Sequence, residues 1–243
     1  MNTANSAFRG RRSARLFASG VAALIAMAPM ALYAIADAGG QVSSAPAPDI
    51  SADAAMSARL NYNIGFELFE KAQAQEKEAA ALKGAKAKAA QQQAMAGYAE
   101  ALTKMAAAVE ADPVLKEGWN IVGYTSRRLG DYGRSLDAYE KALALDPGYP
   151  QAIEYRAEAY LALNRLEDVK TSYLALFIVA PAQAAVLLDG MKAWVAANRK
   201  PPAGVSAEEV SAFAAWVAER GGVAATTAAL RPELAAVPAR DWR

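Results

Sequence analysis

The sequence predicts an all-α chain of stacked helical hairpins, on three observations. Alanine supplies 63 of the 243 residues. Apolar residues recur three and four apart from Ser51 to about Val223, as helices require, and no stretch alternates as a strand would. Pro113, Pro147 and Pro181 stand 34 residues apart, and a fixed period of that size marks a solenoid.

Composition narrows the function before any motif is considered. Twenty-six basic against 25 acidic residues leave a net charge of +1, which favours neither nucleic acid nor an acidic substrate. The chain has no cysteine and no histidine. That removes disulfides, thiol nucleophiles, thiolate or imidazole metal sites and histidine general bases. No cofactor or metal is expected, and the chain reads as a non-enzyme.

Residues 1–36 form the first segment. Arg9, Arg11, Arg12 and Arg15 precede Leu16–Ala36, a run without charge that ends in Ala34-Ile35-Ala36 before Asp37. A basic start, an apolar run and a small-x-small site make a signal peptide. The alternative is an uncleaved anchor, since residues 16–36 at about 1.5 Å each just match a bilayer core. Ala14 stands where a twin-arginine motif wants Phe. Both readings place the rest across the membrane, in the periplasm if the cell is bacterial. Residues 37–50, rich in Gly, Ser and Pro, read as a flexible linker.

The helical domain spans 51–223. Within it, residues 116–149 carry Trp119, Gly123, Gly130, Tyr132, Tyr139, Ala142 and Pro147. On those residues the segment resembles a tetratricopeptide repeat along its whole length. Ser126 and Ser135 depart from the pattern, replacing a Tyr and an Ala. Residues 150–183 repeat it more loosely, with Ala157, Tyr160, Leu163, Tyr173 and Pro181 in register. The resemblance implies helical hairpins in which Gly123 and Ala157 permit close approach while Tyr139 and Tyr173 fill the gap to the next unit. It also implies a right-handed α-α superhelix of about three repeats, the TPR solenoid, closed by a C-terminal capping helix pair.

The first repeat, about 58–115, is longer. If Gly65 is its small position, its closing proline is due at residue 89 and arrives at Pro113, an insertion of 24 residues over roughly Gln73–Gly97. The insert is mostly Ala, Gln, Glu and Lys, strong helix formers, with a central Gly84. It predicts an elongated helical hairpin turning near Leu82-Lys83-Gly84; a disordered charged loop is the alternative. Lys83, Lys86 and Lys88 with Glu76 and Glu78 suggest an ion-laced helix surface.

The cap, 184–223, contains Trp194, a breaker at Lys200–Gly204 and a Ser206-x-x-Glu209 capping box. Gly221-Gly222 is expected to end its last helix. Residues 224–243, with Pro232, Pro238 and Trp242, read as a partly ordered tail.

No phosphate loop, nucleophile elbow or calcium loop occurs. Glu154 and Glu158 share a helix face as paired carboxylates might, yet the repeat register already accounts for them. The resemblance instead implies a concave groove lined by the first helix of each hairpin. By register its lining is Tyr62, Phe66 and Phe69, then Asn120, Tyr124, Arg127 and Arg128, then Glu154 and Glu158, and finally Lys192. The lysines and asparagines with which one branch of the family clamps a chaperone's terminal carboxylate are absent from these positions. Such a trough suits another protein, as a peptide or helix. Phe66 and Phe69 as plain core, and a groove filled by Trp242 of the chain's own tail, remain alternatives. The expected function is a bacterial cell-envelope adaptor or scaffold, or else a structural subunit of a secretion, outer-membrane assembly or polysaccharide-export complex. No nucleic-acid role is expected.

Overall fold

The structure, a computed structural model, describes residues 50–235; the segment expected as signal peptide or anchor, nearly all of the expected linker and the last eight residues lie outside them. Among the described residues there are eight α-helices and no strand. They are α1 (Ala52–Ala81), α2 (Gly84–Ala111), α3 (Lys116–Arg128), α4 (Tyr132–Leu145), α5 (Pro150–Ala162), α6 (Leu166–Val179), α7 (Pro181–Ala197) and α8 (Ala207–Ala235). None is long and apolar enough to cross a membrane.

Each helix packs on the next in sequence, and α1 also touches α3, α3 touches α5, and α5 touches α7. Stacking first helices on first helices gives the array one continuous inner face, as a solenoid of helical hairpins requires. The fold is therefore the predicted all-α solenoid with a capping helix pair.

The insertion is helical. Helices α1 and α2 run 30 and 28 residues, about 45 and 42 Å, against 13 and 14 residues in the next hairpin. Leu82 and Lys83 make the turn, and Gly84 takes the positive φ of 61° that favours glycine. Small residues bring the two helices together: Ala72, Ala94, Ala101 and Ala108 are fully buried, and a Cβ on Gly97 would stand 3.0 Å from that of Ala72.

The repeat of 34 is visible in the backbone. Gly130, at φ 85°, ends α3, and its N–H donates to the carbonyl of Arg127 while that of Asp131 donates to Ser126. Asn164 does the same for α5 at φ 59°, with Asn164 donating to Leu161 and Arg165 to Tyr160. Asparagine tolerates this left-handed conformation better than other side chains. Its Oδ1 also accepts from Trp194 Nε1 at 3.3 Å, tying the turn to α7.

At the C-terminus the Ser206–Glu209 capping box forms in both directions, at 2.7 and 3.1 Å. Gly221-Gly222 does not end α8, which runs on to Ala235. The helix therefore takes in residues 224–235 of the segment expected as tail. Neither glycine has a positive φ, so neither supplies a left-handed stop. Two interior glycines cost about 1 kcal/mol each relative to alanine, and the alanines that follow, with no breaker before Pro232, let the helix continue.

Candidate functional site

The inner face is built from α1, α3 and α5, whose register places every fourth residue of each on one side. Five aromatic rings of these helices, with Tyr98 of α2 behind them, form an unbroken track. Tyr62 stacks on Phe66 at 6.0 Å between ring centres, and Phe66 meets Phe69 at 6.3 Å. Phe69 meets Tyr124 edge-on at 5.0 Å and Tyr98 at 6.4 Å, and Tyr124 meets Tyr155 edge-on at 5.0 Å. Offset and edge-to-face geometries at these distances are favourable beyond the area they bury.

Two members of the track are core. Phe69 is 6% exposed and Tyr98 fully buried, whereas Tyr62, Phe66, Tyr124 and Tyr155 remain partly exposed. Tyr98 donates its hydroxyl to Glu76 Oε2 at 2.8 Å, and burial raises its pKa well above the ordinary tyrosine value.

Charges lie at the α3–α5 end of the track. Arg127 packs over the Tyr124 ring, 5.0 Å from guanidinium to centroid, and its Nη2 stands 2.5 Å from Glu158 Oε2. Burial works against its charge, but Glu158 and the neighbouring tyrosines outweigh it and raise its pKa. Arg128 pairs instead with Glu76, which belongs to the hairpin extension. Glu76 also accepts from Gln91 at 3.4 Å. The extension is thus fastened to the repeat by one carboxylate, and among the described residues Lys83, Lys86 and Lys88 form no ion pair with Glu76 or Glu78.

Asn120 and Glu154 occupy the same position in consecutive repeats and both are buried, at 6% and 8% exposure. The Oδ1 of Asn120 has no hydrogen-bond partner. Burial, with a contribution from the Glu158 charge and opposed by Arg127, pushes Glu154 up to about 8, so it is largely protonated at neutral pH.

Of the ten residues expected to line the groove, the structure gathers nine. Tyr62, Phe66, Phe69 and Tyr124 share the aromatic track, and Arg127, Arg128 and Glu158 the ion pairs beside it, while Asn120 and Glu154 lie buried at the equivalent positions of α3 and α5. Lys192 is not among them: it is exposed on α7 and pairs with Asp189 of its own helix at 2.9 Å. Sequence reasoning missed Tyr98 and Tyr155 as members of the track and Glu76 as the partner of Arg128. Tyr155 had a signal, since it directly follows Glu154 on the inner helix. Glu76 had none, because its partner lies 52 residues away on another helix.

Packing behind the track is tight. A Cβ on Gly123 would fall 2.5 Å from Cε1 of Tyr139, whose ring is fully buried between α3 and α4. Glycine is required there for the hairpin to close.

Comparison with known proteins agrees with the repeat geometry. Residues 116–149 match the family model of the tetratricopeptide repeat. That stretch is α3, α4 and their closing turn. A similar solved structure is described as the first TPR of Spaghetti (RPAP3) bound to an HSP90 peptide. It shares 19% identity with a TM-score of 0.45, over 60% of this chain and 97% of that one. No curated protein matches the chain.

Proposed function

We propose that the chain is a non-enzymatic interaction adaptor whose inner face holds a peptide or helix of another protein. The observation that carries the reading is the aromatic track, which runs through three consecutive hairpins and keeps Tyr62, Phe66, Tyr124 and Tyr155 partly exposed. Aromatic side chains offer large contact area at low conformational cost, and binding energy concentrates on them. An extended or helical segment laid along the track would cross apolar rings first and the Arg127–Glu158 pair last.

We further propose that the adaptor works on the far side of a membrane, in a bacterial envelope. Residues 1–36 support this by their basic start, apolar run and small-x-small site. Fractionation with intact-mass measurement of the recovered chain tests it: a cytosolic pool of full-length protein removes the proposal.

The groove is tested by crosslinking and affinity capture from native membranes. Tyr62→Ala with Phe66→Ala should reduce partner recovery about tenfold, as the loss of a central aromatic anchor does. A second chain, with residues 78–89 replaced by a short turn, keeps Glu76 and removes only the tip of the hairpin. If the tip variant loses the partner and the aromatic variant retains it, recognition belongs to the hairpin. Partners recovered in fixed stoichiometry through washing would favour a structural subunit of an export or assembly complex instead.

A further inference from the structure

The charge balance at the groove's α3–α5 end specifies more than an apolar partner. Three carboxylates, Glu76, Glu154 and Glu158, share two guanidiniums: Arg127 pairs with Glu158, and Arg128 pairs with Glu76 while also lying in the field of Glu158. Neither arginine forms an ion pair with Glu154, which feels Arg127 only at longer range. Lys192 is engaged with Asp189 on α7. Glu154 is 8% exposed, its carboxylate oxygens are not among the fully buried unpartnered atoms, and the ion pair beside it goes to Glu158. A carboxyl in that position is costly unless it is neutral or meets a cation. One repeat earlier, the same position carries Asn120, whose Oδ1 is fully buried and unpartnered. Tyr155, beside Glu154 on α5, adds a partly exposed ring that attracts cations, whereas the Tyr124 ring already carries Arg127.

We infer that this end of the groove seats a basic side chain, lysine or arginine, projecting from the bound partner beside its apolar anchor. The inference rests on the groove reading above and narrows its partner to a cationic segment. The cation would lie between Glu154 and the Tyr155 ring, leaving the Arg127–Glu158 pair in place. The groups around Glu154 fix the proton balance. Helix α5 contributes Glu158 and Tyr155, α3 contributes Tyr124, Arg127 and, through Glu158, Arg128, and α4 contributes Tyr139. With the groove empty, Glu154 holds its proton, since burial and Glu158 disfavour a second negative charge. Arrival of the cation compensates that charge, and the proton leaves to solvent. Binding at neutral pH therefore releases up to one proton, and affinity rises with pH until Glu154 ionises in the empty groove.

The experiment selects 12-residue peptides from a displayed random library on the immobilised full chain. It then measures the best binder by calorimetry in two buffers of different ionisation enthalpy at pH 7. Selected peptides should share a lysine or arginine next to an aromatic or aliphatic residue. Their affinity should fall about tenfold for Glu154→Gln, which keeps the shape of the protonated acid and folds. Exchanging the peptide's basic residue for glutamine should cost as much against the wild type and little more against the variant. The two buffers should show net proton release that disappears in the variant. Peptides that lose binding to the Tyr62→Ala, Phe66→Ala chain yet carry no basic residue, or bind Glu154→Gln equally well, would overturn the cation seat and leave the groove standing. A library yielding no peptide dependent on the aromatic track would overturn both.

Discussion

Residues 116–149 and 150–183 are two copies of one hairpin laid side by side, and their differences separate what folds the unit from what the unit does. Positions facing the partner helix stay small or aromatic: Gly123 matches Ala157, and Tyr139 matches Tyr173, both tyrosines being almost completely buried. The left-handed turn persists although Gly130 becomes Asn164. On the inner helix the residues change class. Asn120 becomes Glu154, Tyr124 becomes Glu158, and Arg127 becomes Leu161. The scaffold positions repeat because the backbone geometry repeats. The inner positions are free to diverge, and on the proposed reading a partner would meet different chemistry at each step along the inner face.

The largest effect expected from this contrast is at Glu154. The carboxyl is raised from 4.5 to about 8 in the folded chain. Between those values the folded state keeps a proton that the unfolded state has lost, so stability falls as pH climbs through that window. Glu154→Gln removes the titrating group and with it the slope. The variant should match the wild type near pH 4.5 and exceed it by on the order of 3 kcal/mol at pH 9. Urea unfolding at the two pH values measures the difference. Equal stability at pH 9 would mean that Glu154 is solvated and ionised like any surface acid, and the two repeats would then differ less than their geometry indicates.

The next effect is steric. Gly123→Ala places a methyl group against the buried ring of Tyr139, where nothing flexible can yield. It should cost about 2 kcal/mol, roughly 5 °C of melting temperature in a domain of this size. The second repeat already accepts alanine at this position, so Ala157→Gly should cost only about 1 kcal/mol, through helix propensity. If both changes have the same effect, the two hairpins are spaced alike and the glycine carries no information.

Much of this architecture was legible in the sequence, and the illegible part has a common cause. Prolines at a period of 34, glycine at the close approach and the Ser206–Glu209 box are local patterns, decided within one turn or one repeat. Pro181 kept its phase although it opens α7 directly, whereas Pro147 sits in a turn ahead of Pro150 at the start of α5. The elongated hairpin followed from counting residues between Gly65 and Pro113. What no window of sequence discloses is which long-range partner a charge finds. Glu76 was expected to face lysines of its own hairpin and instead holds Arg128. In the same way, register alone assigns Phe69, Asn120 and Glu154 to the inner helices but cannot tell a displayed side chain from one covered by its neighbours.

The smallest effect tests a glycine whose role was expected to be the reverse of what the structure shows. Gly130 ends α3 at a positive φ, while Gly221 and Gly222 lie inside α8 with ordinary helical backbone. Alanine at residue 130 must adopt a conformation costing about 1 kcal/mol, so Gly130→Ala destabilises. Alanine at residue 221 or 222 meets nothing closer than 3.9 Å and restricts the unfolded chain, so Gly221→Ala stabilises by about 0.5–1 kcal/mol. Helix content by circular dichroism should not fall in either residue-221 or residue-222 variant, because no left-handed stop is being removed. A loss of stability at both sites would show that the pair terminates α8 after all. Residues 224–235 would then belong to the tail, free to reach the groove, and the comparison of repeats would have to include a segment of the chain competing with the partner for the inner face.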